Sequence, residues 1–189
     1  MRQVTISLMT YYGAKELAAA FRTVRKNTII IAEEIPEDKY GFQATPETRT
    51  VAQTLVHVAL IPRMPLEIHG VRKLSTFEGF DFMSVVGPMM ADEQKPRTKA
   101  EILDLLRDEG EKYATFLDGL SDEFLGQTVS FPPQVEPPSK SRFEMLMGSK
   151  EHEMHHRGQL MLVQRMLGLT PHLTRQMQAR MAAQQAGKP

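Results

Sequence analysis

The sequence predicts an all-α protein, a four-helix bundle with a C-terminal helical tail. Three features point there: long segments in which apolar residues recur at helical spacing, three capping-box patterns that mark helix starts, and no long β-branched alternation beyond the first few residues. Four long amphipathic segments joined by loops bury their apolar faces most readily against one another.

Residues 1–9 are ambiguous. Val4, Ile6 and Leu8 alternate like a strand, but so short a run fits equally an arm leading into a helix. From about Thr10 to Ile35, Leu17, Phe21, Val24, Thr28, Ile31 and Ile35 are spaced by four and three, the stripe of an amphipathic helix. Pro36 ends it, because proline lacks an N–H and disfavours helix in the residue before it. Residues 36–49 read as a loop. Thr50 with Gln53 opens a second helix at Val51; Pro62 and Pro65 each remove a helical hydrogen bond, so a break is expected just after the turn carrying His57. Residues 74–96 show no sustained period and read as a long loop with one short helical piece. Thr98 with Glu101 opens a third helix bearing Ile102, Leu105, Leu106, Tyr113, Phe116, Leu117 and Leu120. Residues 121–140, with Pro132, Pro133, Pro137 and Pro138, form a connector. Ser141 with Glu144 opens a fourth helix that runs to about Leu167, where Gly168 suits the cap and Pro171 follows. The bundle domain is therefore expected over residues 1–170 and a helical or frayed tail over 171–189. The thirteen methionines read as adaptable core filler.

Composition narrows the function. Lys+Arg and Asp+Glu number 23 each, so the formal charge is zero, without the basic excess of a nucleic-acid or membrane-surface binder. With no cysteine in the chain, disulfides, thiolate catalysis and Cys-based metal sites are excluded. No signal-peptide pattern opens the sequence, and no run approaches the roughly 18 apolar residues of a membrane span. The expectation is a cytoplasmic protein with no nucleic-acid or membrane partner.

The histidines carry the chemistry. Three of the six fall in Glu151-His152-Glu153-Met154-His155-His156-Arg157-Gly158-Gln159. Residues four apart share a helix face, so His152 and His156 can both reach one metal ion. Their line continues through Met145 and Ser149 on one side and Leu160, Val163 and Leu167 on the other, which points them into the bundle and leaves His155 at the flank. The alternative is a pair of core histidines hydrogen-bonded to carbonyls or to each other. His57, in the apolar setting Leu55-Val56-His57-Val58-Ala59 of another helix, is the natural third ligand. His69 and His172 lie near element ends and read as surface residues. Glu153, about 100° around the helix from His152, reads as solvent-facing. Glu153, Arg157 and Gln159 are candidates to support the ligands or a dimer contact, and Gly158 reads as a helix-packing glycine.

His152-Glu153-Met154-His155-His156 also matches the zinc-protease motif H-E-x-x-H, with Glu153 as general base. Three features oppose that reading. No Asp or Glu follows Arg157 to serve as a downstream ligand; Gln159 and Leu162 stand where the longer motif needs Gly and His; and no sheet is expected.

The run from His152 to Leu160 with Arg165-Met166-Leu167-Gly168 and Pro171, together with Glu34-Ile35-Pro36-Glu37-Asp38-Lys39-Tyr40, Pro46, Thr50-Val51-Ala52 and Leu55-Val56-His57, resembles the DinB/YfiT-like superfamily over roughly residues 12–170. Pro62, Pro65 and the tail beyond residue 172 depart from its pattern. The resemblance implies an up–down four-helix bundle, often homodimeric, with a divalent metal ion, zinc or nickel, held by three histidines. By position these are His57, His152 and His156, the set reached above from the helix faces. It also implies a metal-dependent enzyme with an open coordination position, acting on a small molecule as a hydrolase or as an S-transferase that uses a low-molecular-weight thiol. The other class left open is a non-catalytic, dimeric metal-binding or stress-response protein. No catalytic residue is assigned.

Overall fold

The computed structural model describes residues 12–186; the strand-like run at Val4, Ile6 and Leu8 lies outside them. Helix α1 spans Ala14–Glu34 and buries the stripe from Leu17 to Ile31. It stops before Pro36, where Ile35 makes the last helical hydrogen bond, to the Ile31 carbonyl at 3.1 Å. Helix α2, Val51–Leu60, opens on the expected capping box: the Thr50 hydroxyl accepts from the Gln53 N–H and the Gln53 side chain accepts from the Thr50 N–H, at 3.1 and 2.9 Å.

The break after His57 has a definite cause. Ile61 still donates to the His57 carbonyl at 3.0 Å, but Pro62 has no N–H to offer the Val58 carbonyl. The chain goes on as a three-residue helix α3, Arg63–Pro65, and a wide π-helical turn, Leu66–Val71. Helix α4, Met83–Glu93, is longer than the short piece expected, although Pro88 lies inside it. Asp92 near its end pairs with Arg63, Lys95 and Arg97 at 2.7, 3.0 and 2.8 Å, which ties α4 to the α2–α3 corner.

Helix α5, Lys99–Asp118, opens on Thr98 and Glu101. After it come a five-residue helix α6, Asp122–Gly126, and two short strands, β1 Thr128–Ser130 and β2 Ser139–Ser141. These pair antiparallel, Val129 opposite Lys140, and Ser130 also bridges to Thr76. The expectation of no sheet is corrected here: three-residue strands are too short to show alternation in the sequence. Helix α7, Arg142–Met166, opens on Ser141 and Glu144 and ends before Gly168, whose φ of 78° is the left-handed conformation that glycine adopts freely. The tail is helical: α8 spans His172–Ala186.

Helices α1, α2, α5 and α7 make the predicted four-helix bundle. Both α1 and α2 pack on α5 and α7, so α1 and α2 face each other across the diagonal. Lys99 at the start of α5 donates to the Ile35 carbonyl beyond the end of α1, and Gln164 near the end of α7 reaches Glu34. α1 and α7 therefore run one way and α2 and α5 the other, with the 61–98 connection carrying the chain back. Apolar side chains form two clusters, one around Ile31, Leu55, Ile102 and Leu160 and one around Phe21, Tyr113, Leu117 and Leu146.

Two histidines read as surface residues are buried. His69 accepts from Arg142 Nη1 at 2.9 Å, and His172 meets Asn27 Oδ1 at 3.1 Å. Each sits near an element end that folds back onto a long helix, a long-range event invisible in local pattern. No described helix is long and apolar enough to cross a membrane.

Candidate metal centre

The break at Pro62 leaves His57 in the last full turn of α2, facing α7. There His152 and His156 lie one turn apart. The three rings meet: His57 Nε2 is 2.9 Å from His152 Nε2, which is 3.1 Å from His156 Nε2, and one nitrogen from each lies within 4.8 Å of the others. Three nitrogens bound to one tetrahedral ion at the usual Zn–N length would stand about 3.4 Å apart, so a small adjustment would admit an ion. His155 is exposed at the flank.

The outer edges of the rings set their protonation. His57 Nδ1–H donates to Glu93 Oε1 at 2.6 Å, and His156 Nδ1–H donates to Gln159 Oε1 at 2.7 Å. The Gln159 amide is oriented in turn by its NH₂ group, 3.1 Å from His155 Nε2. A neutral imidazole protonated at Nδ1 presents a lone pair at Nε2. His57 and His156 thus both aim lone pairs at His152 Nε2, which carries at most one hydrogen, so at least one contact sets lone pair against lone pair. A cation shared by all three nitrogens would remove that repulsion, and a donor set of three imidazoles suits a divalent transition ion. Burial pushes His156 down to about 4, and burial followed by neighbouring charge also lowers His152. Both are therefore neutral near pH 7, as ligation requires.

Glu93 comes from the segment read as a loop, and nothing in its sequence surroundings marks it. Gln159, three residues after His156, was a supporting candidate and takes that place. Glu153 departs from expectation. It is buried, and its carboxylate pairs with Arg25 of α1: Arg25 Nε lies 2.9 and 3.0 Å from the two oxygens and Nη2 lies 2.9 Å from Oε2. The buried stripe of α7 runs through Leu146, Ser149, Glu153, His156, Leu160 and Gln164, rotated from the line read through Met145 and His152. With both carboxylate oxygens engaged by Arg25, Glu153 is not the general base of a zinc protease.

Arg25 ties the bundle together just beneath the histidines. It donates from Nη1 to the Leu106 carbonyl of α5 at 2.7 Å and from Nη2 to the Val58 carbonyl of α2 at 3.0 Å. The Val58 carbonyl is the one Pro62 leaves without a helical donor. Gly110 makes room: a Cβ there would stand 2.8 Å from Arg25 Cγ. One side chain thus links α1, α2, α5 and α7 around the turn that holds His57. Nothing in the sequence singles it out from Arg22 and Lys26 on the same helix.

Two cavities open on the cluster, about 590 Å³ on the His57 side and about 630 Å³ on the His156 side, and Glu47, Thr48 and Arg49 line both. The loop before α2 therefore roofs the histidines.

The DinB family profile matches residues 7–186. The chain belongs to the DinB family. No protein of curated function matches the sequence at a significant level. Among solved structures, this DinB chain resembles the DinB-like protein YjoA of Bacillus subtilis at 19% identity and TM-score 0.59, over 82% of this chain and 94% of that one. It resembles a DinB-like protein of Bacillus cereus at 18% identity and TM-score 0.63, over 86% and 97%. YfiT of Bacillus subtilis, described as a probable metal-dependent hydrolase with an unusual four-helix bundle topology, aligns at 13% identity and TM-score 0.64, over 87% and 93%. Likeness at these identities speaks for the fold.

Proposed function

We propose that this DinB protein is a metal-dependent enzyme acting on a small molecule, with His57, His152 and His156 holding a divalent ion, zinc or nickel. The observation that carries the reading is the pair of outer acceptors, Glu93 and Gln159, which turn two imidazoles so that their lone pairs point at the third. A structural ion would take four protein ligands, whereas three histidines beside two cavities leave a position for substrate. When bound, such an ion supplies a Lewis acid that brings a coordinated water or thiol toward neutral pKa.

The chain's own groups hold the arrangement. Glu93 and Gln159 fix ring orientation, Arg25 with Glu153 fixes the helices beneath, and the loop at 47–49 roofs the site. Hydrolysis has the support of the description given to YfiT. Thiol transfer is the second chemistry the family resemblance implies; with no cysteine in the chain, the thiol would have to arrive as cosubstrate. We also propose a homodimer. Met154, Gly158, Leu162 and Met166 lie four residues apart on α7, Met154, Leu162 and Met166 are exposed, and no atom of the described chain approaches a Cβ built at Gly158. The glycine therefore has no packing partner among the described residues of its own chain.

The test compares wild type with His156→Ala. Wild type should purify with, or take up, one divalent ion per chain, and metal at 100 times its Kd should stabilise it by about 2.7 kcal/mol; the variant should gain neither. Stoichiometric ion in folded His156→Ala protein would refute the ligand set. Turnover of ester, amide and thiol-plus-electrophile panels, against a metal-stripped control, separates an enzyme from a non-catalytic metal-binding protein.

A further inference from the structure

Arg49, in the loop shared by both cavities, makes no hydrogen bond or ion pair with any described residue. It lines one cavity together with His156 and the other together with His57, so the guanidinium stands at the mouth of the histidine cluster. A guanidinium beside a site for a dication is repelled by it unless an anion lies between them. A free guanidinium fork is also the side chain best shaped to take a carboxylate. Among the described residues, Arg49 is the only Lys or Arg lining either cavity, which matches a single negative charge better than a phosphate dianion.

Away from Arg49, the cavity on the His57 side is walled by Ile61, Met64, Phe82, Val86, Met89 and Met90. The last four come from α4 and the residue that caps it. Phe82 and Met90 are 46% and 53% exposed, a standing cost to water contact, and methionines adapt to the shape of an apolar guest. Among the described residues, two carboxylates line that cavity: Glu93, engaged by His57, and Glu47, in the exposed loop with Arg49. The volume, about 590 Å³, suits a small organic molecule.

We propose that this cavity binds a small carboxylic acid with an apolar tail, its carboxylate on Arg49 beside the histidines and its tail among Met64, Phe82, Val86, Met89 and Met90. The proposal deepens the functional reading above, on which it rests for the place of the head group, by naming the substrate class.

Octanoate serves as the probe, with octanamide as its neutral analogue and acetate as its tailless one. Each is titrated by calorimetry into the full chain, zinc-loaded and metal-free, with zinc content measured in every sample. Octanoate should bind, acetate should bind at least about 30-fold more weakly, and Arg49→Gln should weaken octanoate at least about tenfold while leaving octanamide unchanged. The double variant Phe82→Ser, Met90→Gln should weaken octanoate and octanamide alike. Octanoate that binds no better than octanamide or acetate, or that is indifferent to Arg49→Gln, overturns the proposal. Failure of folded wild type to hold either zinc or nickel would overturn the metal reading instead, and the Arg49 dependence measured on the metal-free chain would still decide this one.

Discussion

Replacing Glu153 by leucine would leave the Arg25 guanidinium in the bundle without its counter-charge. The two side chains are 2% and 5% exposed, so neither group recovers water in the folded state. Removing one partner of such a pair costs about 3–5 kcal/mol. Arg25 would keep the Leu106 and Val58 carbonyls and the face of Phe21, which places the expected loss at the lower end, about 3 kcal/mol. In a domain of this size that lowers Tm by about 6–12 °C. The assay is thermal and urea unfolding followed by circular dichroism on metal-free protein, so that loss of the ion does not contribute. The double variant Arg25→Met, Glu153→Leu provides the control. It removes both charges, a change that is often neutral, but leaves the Val58 carbonyl without a donor because Pro62 has no N–H, at about 1–3 kcal/mol. The double variant should therefore be more stable than Glu153→Leu alone. A loss below about 1 kcal/mol for Glu153→Leu, or a double variant less stable than that single one, would refute the account of Arg25 as a paired tie between four helices.

Gly110→Ala should destabilise by about 1–3 kcal/mol in urea, since the new Cβ would strike Arg25 Cγ; Gly148→Ala, with open space at its Cβ, should instead gain up to about 1 kcal/mol of helix propensity. Glu93→Gln should leave the fold intact and weaken zinc affinity about 10- to 100-fold in competition with a chelator; unchanged affinity would remove Glu93 from the site. A pH effect follows from His69, which burial and then the charge of Arg142 hold down to about 4. The unfolded chain takes up the proton near 6.5 while the folded chain refuses it until about pH 4. The contribution is therefore fully present above about pH 6.5 and is lost as pH falls toward 4, amounting to about 2 kcal/mol between pH 7 and 5. His69→Gln should flatten that part of the urea-midpoint profile, and a profile unchanged by the substitution would count against a buried neutral His69.

The helix boundaries were legible because their causes are local. Thr50, Thr98 and Ser141 each close a hydrogen-bonded ring with a residue three positions on, and Pro36 and Pro62 act within one turn, so a short window of sequence contains the whole interaction. The histidine cluster was legible in the same way: His152 and His156 share a face by helix geometry alone, and His57 was an apolar-face residue of another helix. The partners that orient those rings were less so. Gln159 lies three residues from His156, within the reach of local reasoning, whereas Glu93 is 36 residues from His57.

What the sequence alone determined, then, is the four long helices with their capped starts and their stops, and that three imidazoles were available to face inward. The tertiary structure decided how far each helix is rotated about its axis and which polar groups it takes into the interior. α7 turned Glu153 inward because Arg25, 128 positions earlier, was there to meet it. His69 is buried against Arg142, and the two three-residue strands pair with each other while Ser130 bridges to Thr76. Each of these rests on a contact between residues far apart in the chain. Burying a charge or a ring nitrogen is costly until such a partner is in place, and periodicity within one helix holds no information about which distant residue supplies it.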